Sequence, residues 1–108
     1  MVTKKGKTWD KLGAEQQEQR KAFIDAYTQA VSHLGFVDYV FYSESPSELD
    51  VFTVIRGDRQ ALRPALYQIE AEMLGRFPKA HPDVRLLPLD LADIESLQLT
   101  THQALPRP

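Results

Sequence analysis

Phe36-Val37-Asp38-Tyr39-Val40-Phe41-Tyr42 and Leu49-Asp50-Val51-Phe52-Thr53-Val54-Ile55 are the two stretches whose reading decides the fold. Both are dense in aromatic and β-branched residues, which fit a pleated, half-buried surface, so both are expected to be strands. Ser43-Glu44-Ser45-Pro46-Ser47 lies between them as a polar turn containing a proline, short enough for a hairpin. Side chains alternate along a strand. In the second stretch Val51, Thr53 and Ile55 therefore face one way, and Phe52 and Val54 the other. In the first, Val37, Tyr39 and Phe41 oppose Phe36, Val40 and Tyr42. A sheet wet on one side shows apolar residues alternating with polar ones, and these strands are apolar on both faces.

Working outward, the period changes. Upstream, Phe23, Ala26, Tyr27, Ala30, Val31 and Leu34 recur at the i, i+3, i+4, i+7 spacing of one helical stripe. Glu18, Arg20, Lys21, Asp25 and Gln29 lie between them and are expected to face water. Trp9 and Leu12 extend the stripe, Gly13 weakens the helix, and Gly35 is expected to stop it in a left-handed conformation. Downstream, Gly57 and Asp58 form a turn and a candidate N-cap. Leu62, Ala65, Leu66, Ile69, Met73 and Phe77 make a second stripe, expected to begin near Leu62 with Pro64 in its first turn. Gly75 and Pro78 bracket its end. Val84-Arg85-Leu86-Leu87-Pro88-Leu89 predicts a third strand, at an edge or ending at Pro88, because proline has no N–H to donate. Asp90 is a candidate cap for a short last helix using Leu91, Ile94 and Leu97.

The expected fold is therefore α+β: a two-layer sandwich in the order α-β-β-α-β with a short C-terminal helix. Residues 1–8 read as a flexible basic tail, 9–98 as one α+β domain, and 99–108 as a flexible C-terminal tail. At 108 residues, with 43 % hydrophobic and 26 % charged residues, the chain suits one modest core. Thirteen Lys and Arg against fifteen Asp and Glu argue against a nucleic-acid binder held by phosphate neutralisation. The absence of cysteine excludes disulfides, thiolate zinc sites and thiol catalysis. No apolar run approaches the ~20 residues that span a bilayer, and the N-terminus lacks a secretion signal's apolar stretch, so no membrane association and a cytoplasmic location are expected.

One cluster could carry chemistry. Ser47-Glu48-Leu49-Asp50 opens the second strand and Asp83 the third. Glu48 and Asp50 share a strand face, and carboxylates two apart, joined by a third from a neighbouring strand, can hold paired divalent ions for phosphoryl transfer. Carboxylate oxygens suit Mg²⁺. The plain alternative is that acids commonly flank turns. The order of elements and the acids opening strands two and three resemble the core of small nucleotidyltransferases of the polymerase-beta type. In that family a Phe-Gly-Ser motif ends the first strand, where Phe41-Tyr42-Ser43 stands here; a Ser-Asp-hydrophobic-Asp motif opens the second, where Ser47-Glu48-Leu49-Asp50 stands. The resemblance covers residues 22–89. It implies Glu48, Asp50 and Asp83 as candidate catalytic and metal-binding residues, Ser43 as a phosphate-binding residue, and Mg²⁺ as cofactor.

The departures from that pattern have physical consequences. Tyr42 replaces a glycine that lets backbone approach phosphates. The segment between Ser43 and Ser47 brings no basic residue, and Glu44 adds repulsion. Glu48 is longer by a methylene than the aspartate it replaces. Two functional readings follow: a non-catalytic, self-associating protein-interaction module with an eroded nucleotidyltransferase-like site and no cofactor, or an active minimal nucleotidyltransferase moving a nucleotide from Mg-NTP to a protein or RNA acceptor. Apolar residues on both strand faces favour a homodimer, because two helices cover only one face. A partner protein is the other candidate occupant; coverage of the second face by Trp9 and the segment from Leu91 is the competing expectation. His33 is expected in the last turn of the first helix, where it suits the dipole, His81 in a loop and His102 in the loose C-terminal tail. Tyr27, Tyr39 and Tyr67 read as packing residues.

Overall fold

Leu49–Ile55 forms strand β2 with the bounds its composition predicts, and it pairs antiparallel with β1, Val37–Glu44. These two strands are the middle of the sheet in a computed structural model that describes the backbone of residues 2–106 and the side chains of residues 13–106. Helix α1 covers Val2–Ser32, helix α2 Arg59–Arg76, strand β3 Pro82–Pro88, helix α3 Ile94–Thr100 and strand β4 His102–Leu105. The chain is thus a small α+β domain with a mixed sheet in the order β3-β2-β1-β4. β3 runs parallel to β2, and β4 antiparallel to β1. Pro82 and Pro88 bound β3, which lies at an edge as its proline requires.

The core lies between the sheet and the first two helices. Phe23, Tyr27 and Val31 of α1, with Leu66 and Met73 of α2, pack on Val40, Leu49, Val51 and Ile55. Each large apolar side chain buried this way contributes about 1.5–3 kcal/mol of transfer free energy. One polar pair is embedded among them: the Tyr27 hydroxyl lies 2.7 Å from Thr53 Oγ1, and both residues have no exposed surface. Among the described residues no helix is long and apolar enough to cross a membrane.

Several expectations are corrected. Residues 2–8, read as a flexible tail, belong to α1. Polarity alone does not break a helix, and no proline interrupts this stretch; once nucleated, each further residue adds a hydrogen bond. The side chains of Trp9 and Leu12 lie outside the described residues. Gly35 does not stop α1 in the left-handed region, where Gly57 alone among the described glycines stands, at φ 111°. The chain leaves α1 through turns in which Leu34 N donates to Val31 O and Val37 N to Leu34 O. His33 lies just past the helix end. Helix α2 starts at Arg59, not near Leu62, because Asp58 Oδ1 accepts from Gln60 N at 2.9 Å and caps it there. Pro64 therefore falls beyond the first turn. Asp93 caps α3 by accepting from Ser96 N, so the cap is not Asp90, which lies in a 3-10 turn at Leu89–Leu91.

The largest difference is at the C-terminus. Residues 99–108 were expected to be loose, yet His102–Leu105 pairs with Val40–Tyr42 as a fourth strand. Its four residues carry no strand pattern of their own; β1 supplies the order. The connection through α3 also changes the layering. The β2-α2-β3 unit moves one way along the sheet and β3-α3-β4 moves back the other way. Because crossovers between parallel strands are right-handed, α2 and α3 must take opposite faces. Phe41 and Val54, outside the helix-facing core, are buried with no exposed surface. The expected two layers become two plus a short cover on the far face. The alternation in β1 is corrected as well. A register shift makes Asp38 an extra residue between Val37, opposite Ile55, and Tyr39, opposite Val54. Val37 thereby joins the helix-side core while Tyr39 and Phe41 stack on the far face with centroids 5.4 Å apart.

Candidate functional site

The sheet register decides which candidate side chains meet. Ser43 of β1 stands opposite Asp50 of β2, and Asp50 stands beside Asp83 of β3. Leu49, Val51 and Thr53 face the helices, so strand alternation puts Ser43, Asp50 and Asp83 in one row on the far face. Glu48 precedes β2 in the turn, exposed, where Ser45 N donates to its carbonyl and its N–H donates to Ser45 O and Oγ. The row is half-buried at Ser43 and Asp50 and exposed at Asp83.

The outer acid of this row, Asp83, is paired with a cation of the chain itself. Arg85 Nη2 and Nε approach Asp83 Oδ2 at 3.0 and 3.3 Å. Asp83's hydrogen bonds and charge raise the Arg85 pKa above its ordinary value; desolvation opposes this, and the charges of Asp50 and Glu48 add to it. Arg85 thus responds to all three candidate acids. Sequence reading missed it, although the signal was present: Arg85 is two residues from Asp83 on a strand and must share its face. Among the described residues, no three acidic or histidine side chains stand where they could hold one metal ion. Asp50 and Asp83 are cross-strand neighbours, whereas Glu48 stands outside β2 in the turn before it. Nearby on α2, burial raises the Glu70 carboxyl pKa, and the charge of Asp83 raises it further.

Tyr42 points away from this row. It packs against the helix-side core, and its ring lies 5.2 Å from that of His102 at the start of β4. His81 precedes Pro82 with φ 46°, exposed. Glu44 does not face the acidic row either; Arg20 Nη1 lies 3.5 Å from its Oε2. Arg20 itself, expected to face water, is only 4 % exposed. Its position three before Phe23, four before Ile24 and seven before Tyr27 puts it on the apolar stripe.

On the far face of β2 and β3, Val54 is fully buried, and the cover is thinner at the neighbouring apolar positions. Helix α3 packs on β1 and β4. Phe52 and Leu87 are half-buried, and Leu91, just after β3, is 80 % exposed. Leu99, on the outer side of α3, is 83 % exposed. Compared with known proteins, this chain matches no protein-family model, no curated protein and no solved structure.

Proposed function

We propose that this chain is a non-catalytic interaction module, with an eroded nucleotidyltransferase-like site, that associates with a second copy of itself as a two-fold dimer. The observation that carries this reading is the partly covered far face: Leu91, just after β3, is 80 % exposed, and Phe52 of β2 and Leu87 of β3 are only half-buried. Exposed apolar side chains beside a sheet mark interfaces when they gather into a patch, and closed two-fold pairing is the commonest way for a small protein to bury one. The buried Phe41 and Val54 make the interface smaller than strand alternation alone suggests. The Arg85–Asp83 pair supports the non-catalytic part of the reading, because one of the three acids already has a cation of the same chain as its partner. The test is the solution mass at micromolar concentration with Phe52→Lys as the control. A dimer that dissociates in the variant supports the proposal; a monomer throughout overturns it. A cytoplasmic setting and, in place of the second copy, a different protein partner belong to the same proposal.

The alternative, a minimal nucleotidyltransferase using Mg²⁺, draws on the cross-strand row of Ser43, Asp50 and Asp83. Titration with Mg-ATP or Mn-ATP separates the two readings. Saturable binding that is lost in Asp50→Ala favours the enzyme; no binding at millimolar nucleotide favours the module.

A further inference from the structure

On the face opposite the acidic row, α1, β1 and the start of β2 line an open cavity of about 300 Å³. This is at the lower end of the range of small-molecule sites. Ile24, Tyr42 and Leu49 form its apolar lining, with Arg20 and Lys21 on α1 supplying two cations. A second cavity of about 450 Å³ continues along α1 toward Thr28 and shares Ile24, Asp25 and Tyr42 with the first.

Arg20 is the unusual member. A guanidinium carries five N–H donors and stays charged, so burying it is costly unless acceptors surround it. Its side chain is 5 % exposed. Nη1 donates to the Ser45 carbonyl at 2.7 Å, but the nearest carboxylate, Glu44 Oε2, stands at 3.5 Å and is itself 44 % exposed. Nε has no partner at all, and Thr28 Oγ1, 5 % exposed by residue, is also without one. Glu44 thus pairs with Arg20 only loosely, and the unused donor of this buried cation, the exposed lysine one residue on and the open cavity beside both leave room for a closer acceptor carrying negative charge. Asp25 and Glu44 also line the cavity, but both are exposed to water, which screens their repulsion more than it screens the attraction of the buried Arg20.

We propose that this cavity binds a small organic oxyanion, a carboxylate or a phosphate ester, whose charged end meets Arg20 and Lys21 and whose apolar body lies against Ile24, Tyr42 and Leu49. A body of this kind is required because the cavity's apolar wall offers nothing to a bare inorganic ion. The site is independent of the dimer proposal, since it lies on the helix side of the sheet.

The test is a titration of the isotope-labelled full chain with benzoate, phenyl phosphate and the neutral analogue benzamide, followed by nuclear magnetic resonance. The two anions are expected to give saturable shifts at Ile24, Tyr42 and Leu49 with millimolar or tighter affinity, and whichever binds tighter identifies the charged group. Benzamide is expected to bind about tenfold or more weakly, the loss that accompanies removal of a charge-assisted hydrogen bond. Arg20→Met, which keeps the stem's packing, should lose at least as much. Lys21 is exposed, so Lys21→Glu keeps the fold and should weaken both anions; it decides the matter alone if Arg20→Met does not fold. Equal binding of benzamide, absence of saturable shifts, or unchanged affinity in Lys21→Glu overturns the proposal.

Discussion

Removal of one oxygen atom, in Tyr27→Phe, tests how the core of this protein is built. The Tyr27 hydroxyl and Thr53 Oγ1 are 2.7 Å apart with both residues fully buried, in a cluster that is otherwise apolar. Loss of the phenol oxygen leaves the threonine hydroxyl buried without its partner, at a cost of about 1–3 kcal/mol at neutral pH. Thr53→Val has the mirror effect. The double variant removes both polar groups and is expected to recover most of the loss, giving a coupling of about 1–2 kcal/mol. A second consequence appears at high pH. Burial, only partly offset by the Thr53 hydrogen bond and reinforced by Glu70, pushes the Tyr27 pKa up to about 12. In the unfolded chain a tyrosine ionises near pH ~10. The native state therefore holds this proton where the unfolded state has lost it. The stabilisation is complete below pH ~10 and is lost as pH rises toward 12, a change of about 2–3 kcal/mol. Urea unfolding of the four proteins at neutral pH, then of wild type and Tyr27→Phe between pH 10 and 12, measures both effects. A neutral-pH cost near zero in the single variants refutes the reasoning. So does an equal alkaline loss in wild type and Tyr27→Phe.

Two further outcomes are expected. In Glu70→Gln, the urea midpoint should rise at pH 7, because burial and the charge of Asp83 disfavour the ionised carboxylate in the fold. That gain should vanish below the unfolded carboxyl pKa, where both states are protonated; a gain that persists in acid contradicts the assignment. Gly13→Ala lies inside α1 with no atom within 4 Å of the added Cβ, so thermal unfolding should show a gain of up to about 1 kcal/mol, and a loss contradicts the helix running through this position.

The parts of the fold legible in sequence are those in which local chemistry and tertiary packing agree. The bounds of β2, the α1 stripe through Phe23, Tyr27 and Val31, and the edge position of β3 follow from period and from proline. β4 is different: His102-Gln103-Ala104-Leu105 acquires its strand conformation by pairing with β1. The turn of Val37 into the core is equally hidden, since one extra residue at Asp38 reverses every side chain before it. At the acidic row, sequence spacing placed Asp50 and Asp83 on neighbouring strands. Their adjacency depends on the parallel register of β3, which no single stretch encodes. Arg85 and Arg20 were readable from periods of two and of three to four. Arg20, between Gln19 and Lys21, resembles solvated surface in sequence. Burial of Arg20 and the contact of Arg85 with Asp83 depend on how the layers stack.

Sedimentation equilibrium across the micromolar range tests the central claim most directly. The partly covered face over β2 and β3 predicts a mass approaching twice the 12.3 kDa of one chain, falling to a single chain's mass in Phe52→Lys. A mass of 12.3 kDa at every concentration, or a dimer that Phe52→Lys leaves intact, contradicts association through that face.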